Sequence, residues 1–341
     1  MWLNKIAFLM IAFVVGATFQ AIGIPAGWLL GAIFTGIVYG LFVTSYSFNG
    51  WPFQVALILV GANIGVMMEP QLFLHLHQYI LPLILTLGIT LLGGLLFGIL
   101  LDRWTSLDRK TAFFCTVPGG ASEVIALSSH YGADERIVAS FHTARITMFV
   151  LLIPFGVGMV YGQGSSETFT TSASGLEVQH VLYFSVILIL TMLLTKWLNF
   201  AGATLIYAIM IGFVASEFVF TFGALPSYIP GIGQVLIGAM VGIRFERSTL
   251  ERLREIGIAS AKILGLYMIM AICIAFIFYL FTPMSYLMSL LSTVPAGAPE
   301  MSSTALSLKM DPSLVASLHI IRMIVVLLVL PHFLKWMLKK S

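Results

Sequence analysis

Long apolar stretches separated by short polar ones run from one end of the chain to the other. Runs suited to crossing a bilayer fall at about 6–23, 24–44, 51–68, 79–101, 137–160, 181–198, 199–222, 229–243, 257–281 and 314–334. A membrane-spanning helix needs roughly 20 apolar residues, whereas barrel strands run to about 10 and alternate. The pattern therefore predicts about ten helices. Lipid offers no hydrogen bonds, and a helix satisfies its own backbone. The first run follows Lys5 and has the look of a signal peptide. A segment of the same kind recurs in the second half, where nothing could be cleaved, so the first run is expected to remain as a span. No linker is long enough to hold a soluble domain; the longest polar stretch, 162–180, lies at mid-chain.

Composition narrows the class. Of 341 residues, 59% are hydrophobic and 9% charged, against about 25% charged in soluble domains. A soluble enzyme, a secreted disulfide scaffold and a DNA-binding protein with a basic surface are excluded. Cys115 and Cys273 both lie in apolar runs and imply neither a disulfide framework nor a zinc site. The net charge of +3 matters less than where the charges lie.

The chain is a tandem duplication with a constant offset of 177 residues. Thr116-Val117-Pro118 meets Thr293-Val294-Pro295, and Gly120, Ala121 and Glu123 meet Gly297, Ala298 and Glu300. Asp134, Ala139-Ser140, His142, Arg145 and Pro154 then meet Asp311, Ala316-Ser317, His319, Arg322 and Pro331. Fourteen of the 39 positions from 116 to 154 are identical, too many at one offset for shared apolar composition alone. Gly61-Ala62-x-x-Gly65 likewise meets Gly238-Ala239-x-x-Gly242. The domains expected are a first repeat over 1–165, a polar extracytoplasmic linker over 166–180 and a second repeat over 181–341.

Basic residues orient the repeats. Arg103, Arg109 and Lys110 follow the fourth run, whereas Arg244, Arg247, Arg252, Arg254 and Lys262 precede its counterpart. With Lys5 inside and five crossings per half, these clusters all fall in the cytoplasm with Lys196, Lys335, Lys339 and Lys340. The loops left outside (69–78, 155–180, 221–229, 282–290) hold no Lys or Arg, and only Lys309 breaks the rule. This predicts two inverted halves with both termini cytoplasmic. It also requires 112–130 and 288–308 not to cross as simple helices. Each is interrupted, by Val-Pro-Gly-Gly-Ala-Ser-Glu (117–123) and Val-Pro-Ala-Gly-Ala-Pro-Glu (294–300). Pro removes a donor and Gly loosens the backbone, so each reads as a re-entrant hairpin. Such a break must line protein or a wet cavity. The expected fold is an all-α polytopic membrane protein of two inverted-topology repeats, each about five transmembrane helices plus one re-entrant broken-helix hairpin.

Matched broken helices in inverted halves point to a transporter's binding site. The candidate substrate- or ion-binding residues are Pro118, Gly119, Gly120, Ser122 and Glu123, with Pro295, Gly297 and Glu300, then Arg145, Arg322, His142, His319 and Asn63. Pro299 fits the first position of a helix and Ser122 a cap, which puts each Glu in a first turn. Each is then either settled against a helix dipole or part of a cation or proton site, since a buried acid costs ~2.5–3.5 kcal/mol. Each Arg could lock a Glu or clamp a carboxylate or phosphate. The histidines are packing residues or proton carriers. Asp134 and Asp311 read as helix caps, and Gly94-x-x-x-Gly98 as a packing face. Asn63 has the apolar Met240 as its repeat partner and is an interhelical bond or a substrate contact. His75-x-His77 offers two ligands without a second-half counterpart, too few for a metal site.

The Pro118–Glu123 motif with Asp134, Ala139-Ser140 and Arg145, repeated at 295–322, resembles the bacterial AbrB family of integral membrane proteins. So does Ile24-Pro25-Ala26-Gly27-Trp28-Leu29-Leu30-Gly31. The resemblance covers essentially the whole chain and departs at Ala296 and Pro299, which makes the halves unequal. It implies a bacterial plasma (inner) membrane location and carries two labels, ammonia monooxygenase and regulator of gene expression. The residues fit neither: there is no cluster of metal ligands and no room for a nucleic-acid reader. The expected function is a secondary transporter of a small polar or anionic metabolite, with H⁺ or Na⁺ coupling left open. The alternative is a membrane sensor acting indirectly on gene expression, or a membrane enzyme. No cofactor, catalytic residue or metal is expected. The partners expected are the lipid bilayer and a small-molecule or ion substrate, not nucleic acid; small-residue faces would permit a homodimer.

Overall fold

The computed structural model describes residues 2–44, 46–48, 50–161, 178–200, 202–220 and 228–338, without the side chains of Ser122, Glu123, Tyr161 and 330–338. Most of the expected linker and of the 221–229 loop, with Lys339 and Lys340, lies outside the described residues. Among the described residues the elements are helices throughout. The first half holds α1 (Trp2–Ala21), α2 (Gly27–Phe42), α3 (Trp51–Val66), α4 (Pro70–His75), α5 (His77–Trp104), α6 (Arg109–Thr116), α7 (Ala121–His130) and α8 (Glu135–Tyr161). The second holds α9 (Val178–Trp197), α10 (Ala203–Phe218), α11 (Tyr228–Gly242), α12 (Arg247–Ile256), α13 (Ile258–Phe281), α14 (Tyr286–Thr293), α15 (Ala298–Ser307) and α16 (Pro312–Leu338).

The duplication is written in the helix bounds. α6, α7 and α8 begin and end 177 residues before α14, α15 and α16. Six helices among the described residues are long and apolar enough to cross a membrane: α1, α5, α8, α9, α13 and α16. The remaining expected spans are shorter, with α2, α3 and α10 at 16 residues and α11 at 15. A 16-residue helix rises about 24 Å, less than the ~30 Å hydrocarbon core. Local backbone accounts for the difference. The apolar run at 24–44 loses its start to a turn in which Gly23 and Ala26 have φ of 81° and 52°. Gly202, at φ 75°, caps α10 in the same conformation. α11 and α12 form a pair bent by 49°.

Residues from both halves build each of two compact units. The first comprises Met1–Leu74, Val150–Glu246 and Gly297–Ala316. In it α2 packs on α1 and on α11, while α10 packs on α9 and on α3, so each half supplies the helix that completes the other's pair. Small residues allow close crossings. A Cβ on Gly242 would lie 2.3 Å from the Ile33 carbonyl, and one on Gly65 would lie 2.6 Å from that of Ile209. Tyr183 of α9 ties α3 to α10, its hydroxyl donating to the carbonyls of Ala62 (2.9 Å) and Gly212 (3.2 Å).

The second unit comprises His75–Phe149, Arg247–Ala296 and Ser317–Ser341. α5 and α13 pack together, and each carries the short helix of its own half, α6 on α5 and α14 on α13. The Gly94-x-x-x-Gly98 face seats the first break: Cβ atoms there would meet the Thr116 carbonyl at 2.7 Å and the Phe113 ring at 2.6 Å. Ala271 and Ala275, both buried, hold the corresponding positions of α13.

Candidate functional site at the two helix breaks

Each break is an extended Val-Pro linker between two short helices. Val117 (ψ 127°) and Val294 (ψ 137°) leave the helical region, as a following Pro demands. The entering helices are capped, α6 by Asp108, which accepts from the Thr111 amide at 3.0 Å, and α14 by Ser285, which accepts from the Met288 amide at 3.3 Å. The outgoing helices α7 and α15 are not. Gly120 and Gly297 take their N-cap positions and supply no side chain. The cap of α7 is thus Gly120, and Ser122 lies inside the first turn instead of capping it. Pro299 lies in the first turn of α15, second in the helix after Ala298.

Glu300, third in α15, is 4% exposed, and its Oε2 has no hydrogen-bond partner. Its carboxylate folds back over Gly297, which belongs to the same unit. Arg244, lying 4.7 Å over the Phe53 ring, is a cation whose charge reaches it. Glu123 occupies the same place in α7; its side chain is outside the described residues.

In the second unit the His and Arg candidates form two copies of one device. His142 Nε2 meets the Phe114 carbonyl at 2.9 Å and His142 Nδ1 meets Arg145 Nη2 at 2.9 Å. His319 repeats this with the Leu291 carbonyl at 2.8 Å and Arg322 Nη2 at 2.9 Å. Nε2 must donate to a carbonyl, so Nδ1 accepts from the arginine and both imidazoles are fixed in one neutral tautomer. These histidines are orienting groups between a half-helix end and an arginine. Arg322 goes further, donating Nη1 to the carbonyls of Thr293 and Val294, both at 2.8 Å, and Nη2 to that of Ala296 at 3.3 Å. Pro295 exposes those carbonyls by ending α14, and Arg322 replaces the lost helix donors. Pro118 and Gly119 occupy the same places in the first break.

Asp134 and Asp311 are caps, as expected from sequence. Asp134 Oδ1 accepts from the amides of Arg136 (2.9 Å) and Ile137 (3.2 Å), and Asp311 Oδ1 from those of Ser313 (2.8 Å) and Leu314 (3.1 Å). Asn63, 3% exposed, bonds within its own helix, Nδ2 donating to the Leu59 carbonyl at 2.7 Å, while Oδ1 has no partner. It therefore makes no interhelical bond through its amide nitrogen. Arg247–Glu251 and Arg252–Glu255 are ion pairs within α12.

Two residues escaped the sequence reading. Gln234 of α11, 4% exposed, donates Nε2 to the Ser303 carbonyl of α15 at 3.4 Å and leaves Oε1 unpartnered. A lone amide in an otherwise apolar run was the available signal. Tyr267 of α13 donates its hydroxyl to the Thr116 carbonyl and lies under Arg145, 5.3 Å from ring centroid to guanidinium. Nothing in its sequence neighbourhood marks it.

Two repeated pairs of short helices, each followed by a His–Arg pair, lie in an apolar all-helical protein with six helices among the described residues long and apolar enough to cross a membrane. The chain belongs to the AbrB family: the family model described as "Transition state regulatory protein AbrB" matches residues 28–338. It is similar to an Escherichia coli K12 protein named "Putative regulator AbrB", with 24% identity over 92% of this chain and 90% of that protein. It is also similar to the Bacillus subtilis 168 "Uncharacterized protein YhjN", with 24% identity over 97% of this chain and 92% of that protein.

Proposed function

We propose that the protein is a secondary transporter of a small polar or anionic metabolite, coupled to H⁺ or Na⁺, with its site at the two Pro-Gly breaks. The observation that carries this reading is a buried carboxylate, Glu300, with an unpartnered oxygen in the first turn of a broken helix that the chain duplicates. Ionisable groups kept within apolar helices are costly, and they mark ion and substrate paths. The half-helices of eight and ten residues are too short to cross a bilayer, which supports a re-entrant arrangement. The reversed charge signature of corresponding loops supports inverted repeats, a plasma-membrane location and two cytoplasmic termini. The protein acts without catalysis of its own.

Gradient-driven uptake in proteoliposomes tests the function. Uptake of an organic anion should follow an imposed H⁺ or Na⁺ gradient and fall in Glu123→Gln and Glu300→Gln. If both variants transport like the parent, the coupling site is wrong. Single cysteines at 170 and 250, in a chain without Cys115 and Cys273, should label from opposite sides; labelling from one side would sink the inversion. The family description and the name of the Escherichia coli relative favour a second reading, a membrane regulator acting indirectly on gene expression. That reading predicts no uptake of any solute.

A further inference from the structure

The two breaks share a sequence frame and a histidine, yet their arginines are engaged differently. Arg322 holds three carbonyls of its break. In the first break the carbonyl equivalent to Thr293 is that of Thr116, and the Tyr267 hydroxyl occupies it. Residue 267 corresponds to Thr90 of α5. Thr90 turns its hydroxyl to the Thr86 carbonyl of its own helix at 2.8 Å, and the Thr293 carbonyl accepts from Arg322. Tyrosine in one half and threonine in the other accompany the difference between the arginines.

The result is a buried cation with unused donors. Arg145 is 2% exposed; its Nη2 is engaged by His142 and the Tyr267 hydroxyl lies beside the guanidinium, while Nε and Nη1 have no hydrogen-bond partner. A guanidinium has donors alone and stays charged, so an acceptor bearing negative charge is what completes it. A planar or tetrahedral oxyanion matches its fork of N–H groups. His142, itself fixed by the Phe114 carbonyl, sets the orientation of that fork.

We infer that Arg145 is the anion-binding residue and takes a carboxylate or phosphate group of the substrate, whereas Arg322 is a lock on the second break and takes none. Tyr267 is a positioning residue that keeps Arg145 from closing on the Thr116 carbonyl. That the anion is cargo rests on the transporter reading; that it binds at Arg145 does not.

The test is thermal unfolding of the full-length protein in phosphatidylethanolamine–phosphatidylglycerol nanodiscs, titrated with sodium succinate or sodium phosphate against sodium chloride of equal ionic strength. At least one oxyanion should raise the unfolding temperature where chloride does not, and which one does separates carboxylate from phosphate recognition. Arg145→Lys should weaken that binding at least about tenfold and leave the unliganded unfolding temperature in place. Arg322→Lys should lower the unliganded temperature and keep the anion response. Tyr267→Phe should weaken the anion response while the protein stays folded, because the freed Thr116 carbonyl captures Arg145. The inference falls if neither oxyanion acts on the parent protein, or if the response survives Arg145→Lys. It also falls if Arg145→Lys and Glu123→Gln each lower the unliganded temperature and the double variant lowers it no further, since Arg145 is then a structural partner of Glu123. An oxyanion response without uptake in proteoliposomes upholds the site and overturns transport alone.

Discussion

The Glu300 carboxylate lies where a side chain on residue 297 would begin: a Cβ on Gly297 would sit 1.8 Å from Glu300 Oε2. The backbone of Gly297 is extended, at φ −75° and ψ 142°, a conformation open to any residue. Its glycine is therefore needed for space. Gly297→Ala should turn the carboxylate out of its seat, at a stability cost of about 1–3 kcal/mol. Thermal unfolding and gradient-driven uptake check this together. Uptake should fall toward the level of Glu300→Gln, and unchanged uptake with unchanged stability would show that the carboxylate needs no such seat.

Arg322 and Arg145 should differ as contributors to folding. Arg322 donates to three carbonyls that the Pro295 break leaves without helix partners, and hydrogen bonds from a charged donor are worth roughly 1.5–3 kcal/mol each. Lysine keeps the charge but cannot span three carbonyls, and the site is only half-buried. Arg322→Lys should therefore cost about 2 kcal/mol in unfolding free energy. Equal costs for Arg322→Lys and Arg145→Lys would contradict the division between the two breaks.

Much of this was legible in the chain because the duplication preserves spacing. Pro118 and Pro295 dictate extended residues before them, and Asp134 and Asp311 stand where a cap is needed, so the breaks after α6 and α14 and the starts of α8 and α16 followed from local chemistry. Span length was less legible. Apolar content cannot distinguish a helical residue from one in a turn such as Gly23–Ala26. Partner choice was not legible at all, because α2 packing on α11 joins surfaces far apart in sequence through glycines that read only as small. Tyr267 was missed for the same reason: its bond to the Thr116 carbonyl spans 151 residues, and its repeat position is a threonine.

The helix crossings in the first unit give a sharp contrast among glycines. Gly242→Ala and Gly65→Ala would press a methyl against the backbone carbonyls of Ile33 and Ile209, at 2.3 and 2.6 Å, and backbone cannot rotate away. Each should cost at least about 1–3 kcal/mol and lower the monodisperse yield in size-exclusion chromatography. A Cβ on Gly88 or Gly265 meets nothing within 4 Å. Alanine at those helical positions should be neutral or stabilising, by up to about 1 kcal/mol. A loss of yield at Gly88 equal to that at Gly242 would refute the crossing argument.

Asn63 and Gln234 supply the last contrast. Their amide nitrogens face the carbonyls of Leu59 and Ser303, so flipping either amide would set oxygen against oxygen, and the orientation is fixed. Each thereby leaves a buried acceptor oxygen unpartnered, as does Glu300, in the same unit. An unpartnered buried acceptor costs about 1–3 kcal/mol, and removing the whole amide removes that cost together with its one hydrogen bond. Asn63→Leu and Gln234→Met should thus leave stability within ~1 kcal/mol of the parent. Acceptors kept at that cost are suited to a cation or a proton carried past them. The same two variants should therefore raise the cation concentration needed for half-maximal uptake by severalfold. If that concentration stays fixed in both, Asn63 and Gln234 have no part in coupling, and Glu300 acts without them.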